Sequence, residues 1–352
     1  MMRWMRPLGW ALALCAICSV VRAEEEKKRV LEPGKWYPLL EAGVTLTQSS
    51  YSDNWAGGDK GTIVWAAIAN AGLENQIHPK MNWNSLLKLS YGQTHRQGTD
   101  AEGERSWDSP EKSTDLIDLE SILRLTLGSF VDPYGSVRFE SQFQDLSDPL
   151  DRTLSLNPKK FKESAGVARK FIDREDRALL SRLGFTFRQS SRQVFTSDAV
   201  DELGLPVSDD TEAQSTNDGG IELANDYKSK LLDGKVAWTG KLTLYQPVFY
   251  SGDDELEKLT PIALQDNSLP DDLKDYPKAM DIDWENIFTT QITKVLSVNL
   301  YTRWVYDQYD NSVVPVLGTD GTLSNPYGLR TAIRKSGQFK QALTLGLTYR
   351  FI

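Results

Sequence analysis

Residues Gln338–Phe351, QFKQALTLGLTYRF, decide the fold, because their side chains alternate in kind from one residue to the next. Phe339, Gln341, Leu343, Leu345, Leu347, Tyr349 and Phe351 share one face of an extended chain. Gln338, Lys340, Ala342, Thr344, Gly346, Thr348 and Arg350 share the other, since successive side chains of a strand point to opposite sides. The first face is mostly apolar and the second carries both charges. The same period of two recurs upstream. Leu119, Ser121, Leu123, Leu125 and Leu127 alternate with Asp118, Glu120, Ile122, Arg124 and Thr126. Val137, Phe139, Ser141 and Phe143 alternate with Arg138, Glu140, Gln142 and Gln144, and Leu296, Val298, Leu300, Thr302 and Trp304 with Ser297, Asn299, Tyr301 and Arg303.

Alternation also fits a soluble, half-buried sheet. The spacing of turns separates the two. Strands are expected at 39–48, 62–73, 79–92, 115–129, 134–145, 160–171, 177–189, 218–231, 234–250, 282–293, 296–308 and 338–351. Short connections, Glu74–His78, Phe130–Pro133, Ile172–Asp176, Leu232–Gly234 and Lys294–Val295, alternate with long polar ones near 49–61, 93–114, 146–159, 190–217, 251–281 and 309–337. Tight turns on one side and extended loops on the other, with an even strand count, are the plan of a bacterial outer-membrane barrel. The expected fold is therefore an all-β, transmembrane, antiparallel up-and-down β-barrel of about 12 strands.

The faces support that plan. With leucines outward, Arg124 escapes a lipid exposure that costs roughly 2–4 kcal/mol. Aromatics near strand ends suggest two interfacial belts: Trp83, Tyr134, Trp238 and Tyr349 toward the short turns, and Tyr91, Phe187, Trp284 and Trp304 toward the long loops. The inner face would carry Lys88, Asp118, Glu120, Arg124, Arg138, Glu140, Arg182, Arg188, Glu222, Asp226, Lys228, Lys241, Asp283, Glu285 and Arg303. Both signs are present. Such a lining suits a water-filled, porin-like passage for small polar solutes. It equally suits a bore filled by paired charges, leaving a scaffold with working surface loops. A barrel of this size lies between the filled eight-strand type and the open sixteen-strand porin.

The N-terminus reads as a secretory signal over residues 1–23: Arg3 and Arg6, an apolar run Leu8–Val21, and Val21-Arg22-Ala23 before the expected cleavage site. A charged leader over 24–38, broken at Pro33-Gly34, would precede the barrel at 39–352. Cys15 and Cys18 fall within the signal, so thiol catalysis and thiolate metal sites are excluded from the mature chain. Losing Arg3, Arg6 and Arg22 takes the net charge from −9 to −12, an acidity that disfavours nucleic acid. Two histidines remain. His78 is expected in a short turn and His95 on the long-loop side, so they cannot share a metal. An outer-membrane hydrolase built on His95 with Ser90, Gln93 or a loop carboxylate is an alternative that geometry must decide. The acid pairs Asp209-Asp210, Asp253-Asp254-Glu255 and Asp271-Asp272 match no calcium-loop spacing. No cofactor and no enzyme chemistry are expected.

Two motifs carry a resemblance. Thr344, Gly346, Tyr349 and Phe351 resemble the terminal-strand signal of outer-membrane barrels, with Ile352 as one extra residue. That resemblance implies capture by the barrel assembly machinery, and with it a cell outer-membrane location among lipid and lipopolysaccharide. The loop Asn54-Trp55-Ala56-Gly57-Gly58, followed by Trp83 to Tyr91-Gly92 and Phe161 to Gly166, resembles an uncharacterised family of bacterial outer-membrane barrels, catalogued as a domain of unknown function. The glycines Gly57 and Gly58 would let the first long loop take positive φ, and Trp55 would either anchor that loop at the interface or fold it into the mouth.

Overall fold

The computed structural model describes residues 31–49, 60–99, 105–197, 199–266, 269–270, 272–316, 323, 326–334 and 336–351. The expected signal segment and the loop of Asn54, Trp55, Gly57 and Gly58 lie outside these residues. In chain order the strands are β1 (Trp36–Ser49), β2 (Thr62–His78), β3 (Met81–Thr99), β4 (Arg105–Trp107), β5 (Glu111–Leu125), β6 (Asp132–Ser141), β7 (Gln144–Asp145), β8 (Leu154–Ser155), β9 (Lys159–Asp173), β10 (Arg177–Phe195), β11 (Thr211–Leu231), β12 (Val236–Tyr250), β13 (Asp281–Gln291), β14 (Leu296–Tyr306) and β15 (Gln338–Arg350). Helix α1 (Asp253–Asp266) and a 3-10 turn (Leu273–Lys278) separate β12 from β13, and α2 (Pro326–Ala332) precedes β15.

Twelve of these strands form one closed antiparallel ring, β1-β2-β3-β5-β6-β9-β10-β11-β12-β13-β14-β15, and β15 returns to β1. At the seam Val44 faces Leu347 and Thr45 faces Gly346, and the Arg350 guanidinium donates to Glu41 at 2.7 Å. Closure leaves no unpaired edge, which a sheet in hydrocarbon requires. β4 extends β3 beyond the ring, and β7 pairs with β8 in a small separate hairpin. Among the described residues no helix is long and apolar enough to cross a membrane.

The outer wall is the apolar face. Leu343 and Phe339 are about two-thirds exposed, and Val44, Leu46, Leu345 and Leu347 about half exposed. Outward polar groups satisfy one another: the Trp83 indole donates to Ser121 at 2.7 Å, Ser181 to Asn225 at 2.6 Å and Trp238 to Asn286 at 3.0 Å. Aromatic contacts gather near both ends of the wall, Trp36 with Trp83 on the short-turn side and Tyr91 with Phe143 on the long-loop side.

Several expectations change. β1 begins at Trp36 rather than residue 39. Residues before it are not all free of structure, because Gly34 N–H donates to Gln76 and Pro33 bridges to the same residue. His78 is the last residue of β2 rather than part of a loop, and the hairpin turns on Pro79 and Lys80 alone. Its Nδ1 accepts the Lys80 N–H. His95 lies within β3, opposite Ile63, because this hairpin runs several residues past the expected strand ends. Tyr134 leaves the belt. It opposes the inward Arg124 and is 7% exposed inside the ring, as the even-numbered face of β6 dictates.

The two longest loops are also not simply polar. Tyr250, Leu256, Leu259, Leu269, Leu273, Tyr309, Val313, Leu329 and Ala332 form a buried cluster, a cap with its own apolar core on the long-loop side. Leu256 is fully enclosed. Leu256→Ala is expected to destabilise the cap by about 2–5 kcal/mol through the transfer and cavity terms. Limited proteolysis should then cut within residues 251–280 while the folded barrel keeps its unheated gel mobility. A cap as protease-resistant as the parent's would show that this core does not hold it.

Candidate functional site

The strand period fixes which side chains enter the ring, and contacts between non-neighbouring strands show where they meet. Glu120 on β5 is 3.4 Å from Arg182 on β10 and 3.9 Å from Lys241 on β12, five strands away around the ring. Arg182 also reaches Asp226 at 3.1 Å and lies over the Tyr134 ring. Lys162 on β9 pairs with Glu222 on β11, passing over β10. Arg138 forks onto Asp118 at 2.7 and 3.2 Å and also reaches Glu140 at 2.9 Å. This is a charge-bridged belt across half the circumference.

The opposite sector differs. Arg303 forks onto Asp283 at 2.8 Å, and Tyr301 donates to Glu285 at 3.0 Å. Lys88 faces Asp118 and Asn70 in the register without an ion pair to a described residue. Midway along β15, β1 and β2 the inward positions are mostly small, with Ala342, Thr344, Gly346, Gly43, Thr45 and Ala66 beside Ile68, while Lys340, Arg350, Glu41, Leu39 and Glu74 share that face farther along the strands. At mid-height the lumen is thus lopsided, with long charged side chains on one wall and mostly short ones on the other.

Near the long-loop mouth Arg188 ties three elements together. It donates to Asp218 at 2.6 Å and to Asp281 at 2.9 Å, with its guanidinium 3.8 Å from the Tyr245 ring centre. Tyr245 donates to Asp218 at 2.6 Å, and the cap residue Asn311 reaches the same carboxylate at 3.4 Å. Lys160, from the wall, lies 3.6 Å from Asp310 in the cap, and Arg334 binds Asp307 and Asp310. Burial works against the Asp310 carboxylate, yet Lys160, Arg334 and the Ser312 hydroxyl and N–H hold it below the usual carboxylate range. Burial pushes the neighbouring Asp307 up. The cap is therefore held to the barrel by ionic tethers as well as by its apolar core.

At the short-turn mouth lies a vestibule of about 730 Å³, whose lining includes Leu31, Glu74, Asn82, Arg124, Lys170 and Lys228. Ser90 is not placed beside His95. His95 and Ser90 stand on opposite faces of β3, five residues apart, which is about 16 Å along a strand. Gln93 donates to Tyr91 instead. In the terminal strand, Tyr349 and Phe351 meet edge to face on the outer wall while Thr344 and Gly346 face inward. Sequence reasoning missed Lys160, Lys162, Tyr245, Asp281, Asp310 and Asn311. The helical spacing of Leu256 and Leu259 inside a loop of some thirty residues was the available signal for the cap, since long loops with no structure of their own are uncommon.

Residues 46–145, from the end of β1 to β7, match a family described as "Protein of unknown function (DUF3078)". No curated protein matches the chain. Similar solved structures include an outer membrane channel from Pseudomonas putida F1, 11% identical over 94% of this chain and 99% of that one, with a TM-score of 0.37. The translocator domain of the autotransporter NalP from Neisseria meningitidis is 10% identical over 90% and 87%, with a TM-score of 0.34. The low-pH structure of Pseudomonas putida OprB is 7% identical over 89% and 92%, with a TM-score of 0.26. At such scores the barrel assignment rests on this chain's own strand ring, and the family matched by residues 46–145 is described as one of unknown function.

Proposed function

We propose that this protein resides in the outer membrane as a passage for small polar solutes that is shut at rest. The ring of twelve strands with an apolar outer wall supports the location. The observation that carries the passage reading is the Arg182–Glu120–Lys241 bridge. Two cations from different walls meet one carboxylate inside the bore, while the middle of the β15–β1–β2 wall carries mostly short inward side chains, such as Ala342, Thr344, Gly346, Gly43, Thr45 and Ala66. The belt narrows the lumen to one side, the cap covers the long-loop mouth, and the vestibule leaves the other mouth open. The Glu120–Lys241 arm of the belt, with both side chains roughly a quarter to a third exposed, is the part that loosens at the lowest cost, since water-contacting ion pairs contribute only about 0–1 kcal/mol. No bond-breaking step belongs to this reading.

Planar-bilayer recording tests it. The parent protein is expected to give brief, infrequent current steps. Glu120→Gln, which keeps volume but removes the shared anchor, is expected to give longer and larger ones. If neither form conducts above baseline, although both show the heat-dependent gel shift of a folded barrel, the passage is wrong and the capped barrel is a surface scaffold.

A further inference from the structure

The short-turn vestibule holds cations that the rest of the lumen does not neutralise. Arg124 points inward from β5, and its Nε is buried with no hydrogen-bond partner. No hydrogen bond or ion pair joins its guanidinium to any described residue. Arg138, Arg182, Arg188 and Arg303 are each locked to a carboxylate. The Arg182 Nε is also without a partner, but its two terminal nitrogens reach Glu120 and Asp226, which Arg124 has no equivalent of. A buried donor without a partner is uncommon in folded proteins and points to a group the chain itself does not supply. Lys228, on β11, lines the same cavity from four strands away in the ring and is likewise unpaired among the described residues.

The cavity lining holds four cations, Arg124, Lys170, Arg174 and Lys228, against three acids, Glu74, Asp173 and Glu175. Glu74 accepts the Asn82 amide at 3.1 Å, and Asp173 lies 3.8 Å from Lys170. Arg174 and Glu175 complete the charged lining, which leaves the cavity positive in a chain whose net charge is −9. A planar guanidinium binds carboxylate or phosphate oxygens through two parallel N–H bonds, and a lysine across the cavity adds a flexible second charge.

We propose that Arg124 and Lys228 form a binding site for a small dianionic oxyanion, of the phosphate or dicarboxylate class, in the vestibule at the short-turn mouth. The site does not depend on conduction. If the passage exists, this is where it would select its solute, and a solute entering from the short-turn side would meet these charges before the Glu120 belt.

The test uses the whole barrel in detergent, so its failure is separable from that of the passage. Inorganic phosphate and succinate are titrated calorimetrically at low salt, because screening weakens an aqueous site. Saturable binding of one or both is expected. Arg124→Gln or Lys228→Gln should each weaken it about tenfold, equivalent to some 1.4 kcal/mol, and Arg124→Lys should restore part of the loss. Preference for one probe assigns the phosphate or carboxylate class. Absence of saturable binding by either probe overturns the proposal and leaves water as the partner of Arg124. So does binding that survives both glutamine substitutions in protein with the parent's heat-dependent gel shift.

Discussion

Gly166→Ala is expected to destabilise the barrel strongly, because a methyl group there would meet the main chain of the neighbouring strand. Gly166 on β9 and Gly184 on β10 are direct partners in the register and face the lumen. A Cβ at Gly166 would sit 2.2 Å from the Leu183 carbonyl oxygen and 2.4 Å from the Gly184 Cα. Both are main-chain atoms that cannot rotate away. A Cβ at Gly184 would likewise meet the Ala165 carbonyl at 2.4 Å and the Tyr134 hydroxyl at 2.9 Å. The two glycines let the strands approach closely, and Tyr134, next in the register on β6, covers the dip with its ring beside Arg182. An aromatic over glycines in a neighbouring strand restores the contact the missing side chains would have made. Overpacking a rigid site costs about 1–3 kcal/mol and more where backbone must move, so about 3 kcal/mol is expected here, read as a lower urea midpoint for the loss of the unheated gel species. Gly135→Ala is the control. Its Cβ would meet no heavy atom closer than 4.0 Å, and a surface change of that kind stays within about 0.5 kcal/mol. Equal midpoints for Gly166→Ala and the parent would mean that the close approach of β9 and β10 is not real.

Why this contact was invisible in the sequence also explains what was visible. The alternation of Phe339 to Phe351 against Lys340 to Arg350 is a local signal, set by an apolar outer face on one side and water or charge on the other. It marks strands wherever those two environments persist, and turn spacing then orders them into a ring. The strand bodies were therefore legible. Their ends were not, because β10 and β11 continue to 19 and 21 residues beyond any apolar band, where alternation no longer reports lipid. Tyr134 was misplaced because its residue type suggested a membrane belt, whereas its parity with Arg138 places it inside. Partner choice in the lumen is less local still. Glu120 meets Arg182 from 62 residues away and Arg188 meets Asp281 across 93, pairings that depend on strand stagger and barrel curvature. The cap joins segments around 256 and 313 that carry no common pattern, and the acids flanking Leu256 masked an apolar helical face.

Arg182→Leu is expected to destabilise the folded barrel by about 3 kcal/mol, the lower end of the range for breaking a buried pair, because Glu120 and Asp226 keep 26% and 35% of their side-chain surface exposed. The Arg182 side chain is only 6% exposed, and it serves both Glu120 and Asp226. Its removal leaves Glu120 with the more distant Lys241 and leaves Asp226 without its arginine. Adding Glu120→Gln and Asp226→Asn to the same chain should recover most of the loss, because the neutral amides need no counter-ion and keep their volume. The size of the single-site effect measures how wet the belt is. A belt open to bulk water would make Arg182→Leu cost no more than about 1 kcal/mol, the range of exposed pairs, and the triple substitution would then gain nothing over the single one. A cost of several kcal/mol with recovery in the triple variant would place the Glu120 level out of bulk solvent. Water and solutes would then be confined to the short-side-chain wall of β15, β1 and β2, and opening would require this belt to move. A cost near zero would instead mean that the charges stand apart in an open bore, and the resting closure would have to come from the cap alone.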